Sequence, residues 1–478
     1  MSLLFVEISC EEIPARLQVD SIKALHSRLM DGLGEAGFSP VAGRSAISPR
    51  HMAVEITGLE ARLADRVSER RGPRSDAPDK AIDGFCQSAG LTREALHVRE
   101  TDKGSFLFAN VTETGAVLAE ILVPLINNVI NQFPWPKSQR WSRSTVTWVR
   151  PLRSVSVLVD GAAIEGEVTL GGGMVMPFGT QALGHPFYTH DPIQLSDFES
   201  YLGDMQAAHV IVDAESRRED IMRQSGKLAD THGIELVPDE GLLREVTGLV
   251  EWPHAILGRI QPEFMELPAE VLVTSMRVHQ KFFATRYPEG HEKSGQLAPY
   301  FLTIANRDCN ADQVALIATG NERVLKARLA DAAFFWHQDN MTPLETLLPK
   351  LGSVAFFDGL GTVAEKADRL ANLAGQFAHY LAGCNEADAV RAAHLSKADL
   401  LTGMVGEFPE LQGIMGGYYA ASGDETAAVS QAISDHYRPQ GPSDNLPHSS
   451  EGYAVSLADK LDTLTGFFGI DQKPTGSR

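Results

Sequence analysis

Cationic and apolar side chains alternate along residues 275–283, SMRVHQKFF. Read as a strand, the stretch turns Arg277, His279 and Lys281 to one face and its apolar side chains to the other. Three nitrogen donors in one row could form a metal site, a phosphate contact or the solvent face of a half-buried strand. The nearest other histidines have no metal-site spacing to this row, which argues against zinc. A polar strand face and a phosphate-contacting strand therefore remain as the two interpretations.

Cations and indole rings are interleaved between residues 135 and 153. The cations are Lys137, Arg140, Arg143, Arg150 and Arg153, with no acidic residue among them, and the rings are Trp135, Trp141 and Trp148. Guanidinium groups fork onto phosphates and stack on bases, and aromatic rings stack on unpaired bases, so the pattern is typical of an RNA contact. The alternative is a basic loop beside a hydrophobic strand, in which Arg150 and Arg153 pair with acids. The predicted RNA-binding residues are Lys137, Arg140, Trp141 and Arg143, followed by Arg277, His279 and Lys281.

A possible metal site lies near the C-terminal end. The segment AAHLSKADLLT, followed later by LADKLDTL, resembles the core of the HD phosphohydrolases. Those enzymes hold a divalent metal with a histidine, an adjacent His-Asp pair and a later aspartate. Asp459 matches the later aspartate, but Lys397 and Asp399 stand at the pair, where a ligand histidine is needed. Because a lysine repels a metal ion, we expect no tightly bound metal between Asp399 and Asp459, and a helical core with paired charges is favoured.

Composition describes a globular protein of two to four domains. The 478 residues include 43% hydrophobic and 22% charged side chains, as in ordinary soluble proteins. We expect a cytoplasmic protein without membrane association, because the chain shows no membrane-spanning apolar run, no basic secretory n-region and no CxxC pattern. The net charge of −20 excludes non-specific coating of nucleic acid, but it allows one local RNA contact. The absence of a P-loop or GxGxxG motif predicts that the chain binds no cofactor itself.

Hydrophobic periodicity predicts an α+β fold whose last part is all-helical. Predicted strands include residues 3–8, 51–59, 106–113, 147–160, 209–213, 268–287 and 299–306. Predicted helices cover residues 9–37, 80–91, 117–133 and 216–233, with Ser9 or Cys10 capping the first and Ser216 the last. The charged, proline-containing stretch 62–80 predicts a mobile connection. After residue 321 only helical periodicity remains, so the clearest boundary is expected near residue 330.

Longer motifs recur in a fixed order from residue 3 to 476. They are LLFVEISCEEIP, GFCQSAG, WPKSQRW, VRPLR, LLREVTGLVEWP, EFMELPAEVLVTSMRVHQKFF, NERVLKARLADAAFFW, KADLLTGMVGEFPELQGIMGGYYA and LADKLDTLTGFFGI. Together they resemble the beta subunit of bacterial glycyl-tRNA synthetase, the kind with two alpha and two beta subunits. Ser9 and Cys10 replace the family's Gly-Thr, and Pro186 replaces an arginine, which weakens the case for a phosphate contact there. The chain stops where the family continues into a helical anticodon-binding domain, so the resemblance implies a truncated subunit.

The resemblance implies a glycine–tRNA ligase in which the alpha subunit holds the class II core and makes glycyl-adenylate with ATP and Mg. The beta subunit then contacts glycine tRNA and supports assembly of the heterotetramer, and the isolated chain is expected to be inactive. No catalytic, cofactor or metal residue is predicted on this chain. The implied parts are an N-terminal α+β region (1–135), a domain like B3/B4 of phenylalanyl-tRNA synthetase (136–330) and an HD-like helical domain with a degenerate metal site (331–478). The alternatives are an HD-type metal-dependent phosphohydrolase and a scaffold for the alpha subunit that never touches RNA.

Overall fold

The computed structural model describes residues 1–188, 191–442 and 444–473. The strands are β1 (Ser2–Cys10), β2 (Ala42–Ile47), β3 (His51–Leu59), β4 (Arg66–Arg74), β5 (Leu96–Thr101), β6 (Gly104–Glu113), β7 (Leu152–Val159), β8 (Ala162–Ala163), β9 (Glu167–Gly171), β10 (Met174–Gly179), β11 (Gln181–Leu183), β12 (Pro192–Gln194), β13 (Glu235–Leu236), β14 (His254–Arg259), β15 (Phe283–Arg286), β16 (Leu297–Ala305), β17 (Ala355–Phe357) and β18 (Gly361–Thr362). The α-helices are α1 (Ala15–Glu35), α2 (Asp79–Ala89), α3 (Leu118–Asn131), α4 (Phe198–Ala207), α5 (Ala214–Thr231), α6 (Glu240–Thr247), α7 (Ala269–Thr274), α8 (Ala311–Asn340), α9 (Val363–Ala378), α10 (Glu386–Leu395), α11 (Gly403–Glu407), α12 (Ile414–Ser422), α13 (Ala427–Asp435) and α14 (Ser450–Gly469). Short 3-10 helices cover Arg93–Ala95, Pro262–Glu266, Leu344–Ser353, Ala398–Leu401 and Pro409–Leu411, and Ser275–Gln280 form a π-helix. The mixed α+β class is confirmed.

Two compact units make up the chain. The first contains residues 1–224, 243–254 and 304–308, and the second contains residues 225–242, 255–303 and 309–478. The boundary predicted near residue 330 falls inside α8, and the three-part division stays a prediction. None of the described helices combines the length and the apolar character that a membrane span requires.

The first unit is built on a sheet with the order β2-β3-β1-β7-β10-β9, to which β8 adds beside β7. The central strand β1 is buried on both faces, and Val6 lies opposite Val54 on one side and Val157 on the other. Leucines and isoleucines of α1 and α3 cover one face, and Phe198, Tyr201 and the rest of α4 cover the other. The predicted strands at 3–8 and 51–59 are confirmed, because continuous apolar runs are what a doubly covered strand requires.

The predicted caps of two helices in this unit are wrong. Ser9 and Cys10 end β1, where Cys10 pairs with Leu152, and the N-cap of α1 is Pro14. At α5 the cap acceptor is Asp213, whose carboxylate accepts from the Ser216 N–H at 2.7 Å. The pattern placed each helix start correctly within a few residues, but the actual cap depends on backbone geometry that periodicity does not contain.

Two further element predictions in this unit are wrong. Residues 209–213 form no strand. They connect α4 to α5, beginning at His209 with a left-handed φ of +62°, and Val210 and Val212 pack into the core beneath α4. The predicted mobile connection at 62–80 contains β4, which pairs with β6 in the small sheet β4-β6-β5. An exposed strand with charged side chains has no hydrophobic alternation, so only its backbone pairing reveals it.

The second unit combines the sheet β13-β15-β16-β14 with helices α7 to α14. A large cluster of its core includes Phe301, Leu325, Leu370, Met415 and Val455, and a smaller one contains Ala229, Ile234 and Ala298. The all-helical prediction after residue 321 holds except for the β17–β18 hairpin, whose turn uses Gly359 and Gly361 at φ near +80°. Only glycine adopts this backbone without strain, and such short strands lie below the length that a pattern detects.

Candidate functional site

The loop that carries the first predicted RNA-binding residues connects α3 to β7 in the first unit. Its PWP segment ends the helix, because proline cannot continue the hydrogen-bond ladder. Gln139 N–H donates to the Trp148 carbonyl at 2.8 Å, and Trp148 N–H donates to the Gln139 carbonyl at 3.1 Å. This bridge holds the loop, so Arg140 and Arg143 lie on an ordered surface turn.

Lys137, Arg140 and Arg143 are exposed. None of the three makes an ion pair with the residues that the structure describes. Three cations without a carboxylate partner leave a local positive charge on an acidic chain. Such cations are available for phosphate oxygens.

Arg150 and Arg153 have structural contacts instead. The Arg153 Nε donates to Glu11 Oε1 at 3.0 Å, and the Arg150 Nη1 donates to the Val149 carbonyl at 2.8 Å. The alternative of pairing with acids is therefore confirmed for Arg153. These two arginines are engaged by the fold and are weaker RNA candidates than Arg140 and Arg143.

The tryptophans of this stretch support the loop from below. Trp148 is completely buried, and Trp135 is half-buried, with ring centroids 4.7 Å from Phe133 and 5.1 Å from Trp148. Trp141 is half-buried against the same core. The expectation that Trp148 stacks on bases is wrong, because a buried ring cannot receive a base. Trp135 and Trp141 each keep part of the ring at the surface, and of these two Trp141 is the predicted RNA-binding residue.

The strand prediction for residues 268–287 is wrong over most of its length. The helix α7 begins after Pro268 and continues directly into the π-helix Ser275–Gln280. The segment ends at Lys281, whose φ of +57° is left-handed, and the Phe282 N–H donates to the Met276 carbonyl at 3.0 Å. The alternation of cationic and apolar side chains suggested the strand, but the tertiary packing of Met276 and its neighbours overrides that local pattern.

The three donors of this segment do not form one row. The Arg277 Nε donates to Asp239 Oδ2 at 2.5 Å, and the exposed His279 lies edge-on to Phe408, with centroids 5.6 Å apart. Lys281 is half-buried at the left-handed residue that ends the helix. The cationic face deduced from a strand period is therefore absent, and Arg277 is already paired.

A cluster of buried charges contains Lys397 and Asp459, two of the residues considered from the sequence as a possible metal site. The Lys397 Nζ lies 3.1 Å from Asp459 Oδ2, 2.8 Å from His436 Nε2 and 3.8 Å from the centroid of the Tyr437 ring. His436 Nδ1 donates to the Ile433 carbonyl at 2.6 Å, so Nε2 is the acceptor for the ammonium.

A second lysine completes the cluster. The Lys366 Nζ lies 2.8 Å from Asp459 Oδ1 and 3.2 Å from Asp462 Oδ2, and Arg369 also binds Asp462. The ammonium of Lys397 thus fills the position between imidazole and carboxylate that a divalent ion would need. The donor set does not fit a metal, and no group of three or more metal-ligating side chains occurs within the described ranges.

Burial and pairing shift the pKa values of this cluster in opposite directions. Burial lowers the pKa of Lys397 to about 8, against the opposing effect of Asp459. Burial also lowers the pKa of His436 to about 3, which keeps the imidazole neutral. For Asp459 burial acts upward, but Lys397, His436 and Lys366 outweigh it and bring the pKa down to about 2. Near neutral pH the cluster therefore holds a charged ammonium against a charged carboxylate.

Asp399 lies beside this cluster, and one of its two carboxylate oxygens accepts hydrogen bonds. Its Oδ2 accepts from the backbone N–H groups of Gly413, at 2.5 Å, and Gly416, at 3.0 Å, at the start of α12. Its Oδ1 is buried without a hydrogen-bond partner. Burial raises the pKa of Asp399 from 3.8 to about 6, more strongly than the two N–H donors lower it.

The raised pKa predicts a defined pH dependence. Between pH 4 and 6 the folded state holds a proton on Asp399 that the unfolded state has released, so this contribution to the free energy of unfolding falls as pH rises. We expect Asp399→Asn to remove that fall, measured by urea unfolding across this pH range. The matched control is Asp424→Asn, at an exposed carboxylate of the same unit. If the pH slopes of the two variants coincide, Asp399 does not titrate in this window.

Sequence reasoning missed Lys366, Asp462 and His436. Asp459 and Asp462 are spaced three residues apart on a predicted helix, so a shared face was visible in the sequence. Their partners are distant, since Lys366 precedes Asp462 by 96 residues and His436 follows Lys397 by 39. No local pattern connects residues at those separations.

Two residues that differ from the resembled family, Ser9 and Pro186, lie close together in the first unit. Ser9 and Pro186 line one cavity of about 220 Å³ together with Arg50 and Arg153. Arg50 is bound by the buried Glu251, through Nε at 3.0 Å, and Arg153 is bound by Glu11. The cations of this cavity are thus already neutralised, so it is a weaker anion site than the loop at 137–143. The neighbouring residues 189 and 190 lie outside the described ranges.

Comparison with known proteins was made over the whole chain. A family described as glycyl-tRNA synthetase beta subunit matches residues 4–478. The glycine–tRNA ligase beta subunit of Rhodospirillum centenum is 43% identical over 500 residues, which cover 100% of this chain and 69% of the relative. The same subunit of Phenylobacterium zucineum is 44% identical, covering 100% of this chain and 70% of the relative. That of Paracoccus denitrificans is 45% identical, covering 99% and 69%.

Proposed function

The chain belongs to the glycyl-tRNA synthetase beta-subunit family, and from this membership we propose that it contacts tRNA and supports assembly within glycine–tRNA ligase. Its partners in this proposal are an alpha subunit and glycine tRNA, in a complex of two alpha and two beta subunits in the cytoplasm. The alpha subunit supplies the ATP- and Mg-dependent formation of glycyl-adenylate. The beta subunit positions the RNA.

The observation that carries the RNA role is the ordered loop with Lys137, Arg140 and Arg143. The whole chain has a net charge of −20, so a surface polyanion is repelled from most of it. Lys137, Arg140 and Arg143 instead place three exposed cations on one loop, without ion-pair partners among the described residues. Phosphate contacts from such residues position an RNA without reading its sequence. Arg277, His279 and Lys281 are the weaker second set, because they share no face.

Two finer assignments support the same proposal. We infer that residues 331–478 form an HD-like domain, because Lys397, Asp399 and Asp459 lie together in a helical bundle where a metal core would lie. A lysine ammonium in place of the ion makes this domain structural and argues against a phosphohydrolase. The B3/B4-like assignment of residues 136–330 rests on the motifs, together with the sheet β13-β15-β16-β14 inside that range.

Removing the two loop guanidinium groups tests the RNA role. We expect Arg140→Ala/Arg143→Ala, in the complex with the alpha subunit, to lower kcat/KM for glycine tRNA about tenfold, mainly through KM, since phosphate contacts are lost. The thermal midpoint should stay unchanged, because neither guanidinium makes an ion pair with the described residues. The measurement is aminoacylation of transcribed glycine tRNA alongside a melting curve.

The matched control removes two exposed cations from α1. Arg16→Ala/Lys23→Ala changes the charge of the same unit by the same amount at a different surface. Equal losses in both variants would mean a general charge effect. Unchanged charging in the loop variant, or a loss that only follows unfolding, would show that the loop is structural.

A further inference from the structure

The small sheet β4-β6-β5 presents one face in which arginines surround two phenylalanines. In β6 the rings are Phe106 and Phe108, two residues apart and therefore on one face. Residues directly opposite one another in an antiparallel pair share a face. Those opposite Phe106 or Phe108 are Arg71 and Arg74 on β4 and His97 and Arg99 on β5.

The reverse face of this sheet is covered within the unit. A Cβ at Gly72 would lie 2.4 Å from the Phe85 ring of α2, so the helix packs directly on β4. Glycine is required there for that close approach. The sheet is therefore one-sided: one face packs toward α2, and on the other the exposed arginines cover the half-buried Phe106 and the buried Phe108.

Two of these guanidinium groups lie over the rings. The guanidinium carbon of Arg71 is 3.6 Å from the Phe106 centroid, and that of Arg99 is 4.8 Å from the Phe108 centroid. Arg71, Arg74 and Arg99 nevertheless remain exposed. A guanidinium stacked on a ring keeps its outer plane and its N–H groups available to a second ligand.

The charge balance of the face is positive. Glu69 is the carboxylate on this face, and it binds Arg99, through Nη1 at 2.6 Å, and His97 at 3.2 Å. Asp76 lies 3.5 Å from Arg74 just beyond the end of β4. Arg71 makes no ion pair with any residue in the described part of the chain. A positive, aromatic face on an acidic chain complements a polyanion that also carries flat rings.

We propose that this arginine–phenylalanine face binds unpaired nucleotides of an RNA strand. Bases stack on the guanidinium planes of Arg71 and Arg99, or on the rings once these side chains move aside, while Arg74 pairs with a phosphate. Rings on a central strand with cations beside them favour splayed single-stranded bases over a duplex, whose base faces are hidden. The inference rests on the proposed function only in taking tRNA as the source of that strand.

The test compares two double variants of the full chain. The face variant is Arg71→Gln/Arg99→Gln. The control is Arg70→Gln/Arg93→Gln, which removes one arginine from the opposite side of β4 and one that pairs with Asp79 and Asp83 near α2. Both remove two exposed cations from the same region, and both are checked by melting curves.

The probes are a fluorescein-labelled oligouridylate of about 12 nucleotides, within the span that one such surface covers, and an RNA hairpin. The face variant should bind the oligouridylate at least about tenfold more weakly, because the planes on which bases stack are lost. The control should bind like the wild type. A third variant, Phe106→Leu, keeps an apolar side chain without the ring. It should also weaken binding of the oligouridylate more than binding of the hairpin.

Equal affinities of face variant and control for the oligouridylate overturn the inference, as does an equal loss of oligouridylate and hairpin binding. The loop variant Arg140→Ala/Arg143→Ala can lose binding of glycine tRNA while the face variant binds both probes normally. In that case the inference fails and the proposed function stands. If the wild-type chain binds neither oligouridylate nor glycine tRNA at low salt, both fail together.

Discussion

Replacing Arg217 with methionine is expected to lower the free energy of unfolding by at least about 4 kcal/mol. This arginine of α5 is completely buried in the first unit. Its guanidinium donates to backbone carbonyls of Thr247 at 3.2 Å, Ile211 at 2.5 Å, Val212 at 2.8 Å and Ile47 at 3.0 Å. Methionine would fill much of the volume but leave four buried carbonyls without these donors.

The neighbouring Arg218 provides the matched control. It is more exposed and pairs with Glu215 at 3.1 Å, so Arg218→Met should change stability by less than about 1 kcal/mol. Arg217→Lys should fall between the two, because an ammonium has three donors but no planar fork. The measurement is urea unfolding by circular dichroism. If Arg217→Met unfolds at the same urea concentration as Arg218→Met, the carbonyl cage does not contribute to stability as we argue.

Lys397→Met in the second unit is expected to lower the free energy of unfolding by about 3–5 kcal/mol, because it removes one partner of a buried ion pair and leaves the other. Asp459 would keep only Lys366, and the His436 Nε2 would lose its donor. The exposed lysine of the same unit, Lys350, gives the control Lys350→Met, which should be nearly neutral.

The double variant Lys397→Met/Asp459→Asn separates the charge from the packing. It removes both charges and should recover part of the stability lost in Lys397→Met, since no carboxylate then lacks its ammonium partner. Both variants and the single variant Asp459→Asn are measured by urea unfolding at pH 7. A double variant whose loss equals the sum of the two single losses would mean that the lysine and the aspartate do not interact.

Much of the architecture was predictable because burial is periodic along the chain. The continuous apolar runs of β1 and β3 and the apolar faces that repeat along α9 and α14 are each visible within a local window of the sequence. The long motifs, which occur in a fixed order along the chain, likewise identified the family. The exposed cations Lys137, Arg140 and Arg143 were found because they lie together in sequence, on one loop.

Residues 275–283 show where a local pattern was misleading. The alternation that predicted a cationic strand face is a coincidence of spacing in a helix that continues from α7 into a π-helix. The helix ends only at Lys281, where the backbone turns left-handed. A period of two in a short stretch cannot distinguish a strand from a helix, because the burial of Met276 depends on residues that pack against it from elsewhere in the unit.

By itself, the sequence determined the family, the α+β class and the position of the unpaired basic loop, because motifs, periodic burial and runs of charge are local properties. The tertiary structure alone decided which charges are neutralised. Lys397 meets His436 and Asp459, Arg217 meets the carbonyls of Thr247 and Ile47, and β4 joins β6, each across a separation along the chain that no local window spans. An ion pair or a strand pair forms only when folding brings its partners together and excludes water, and that is decided by packing of the whole unit.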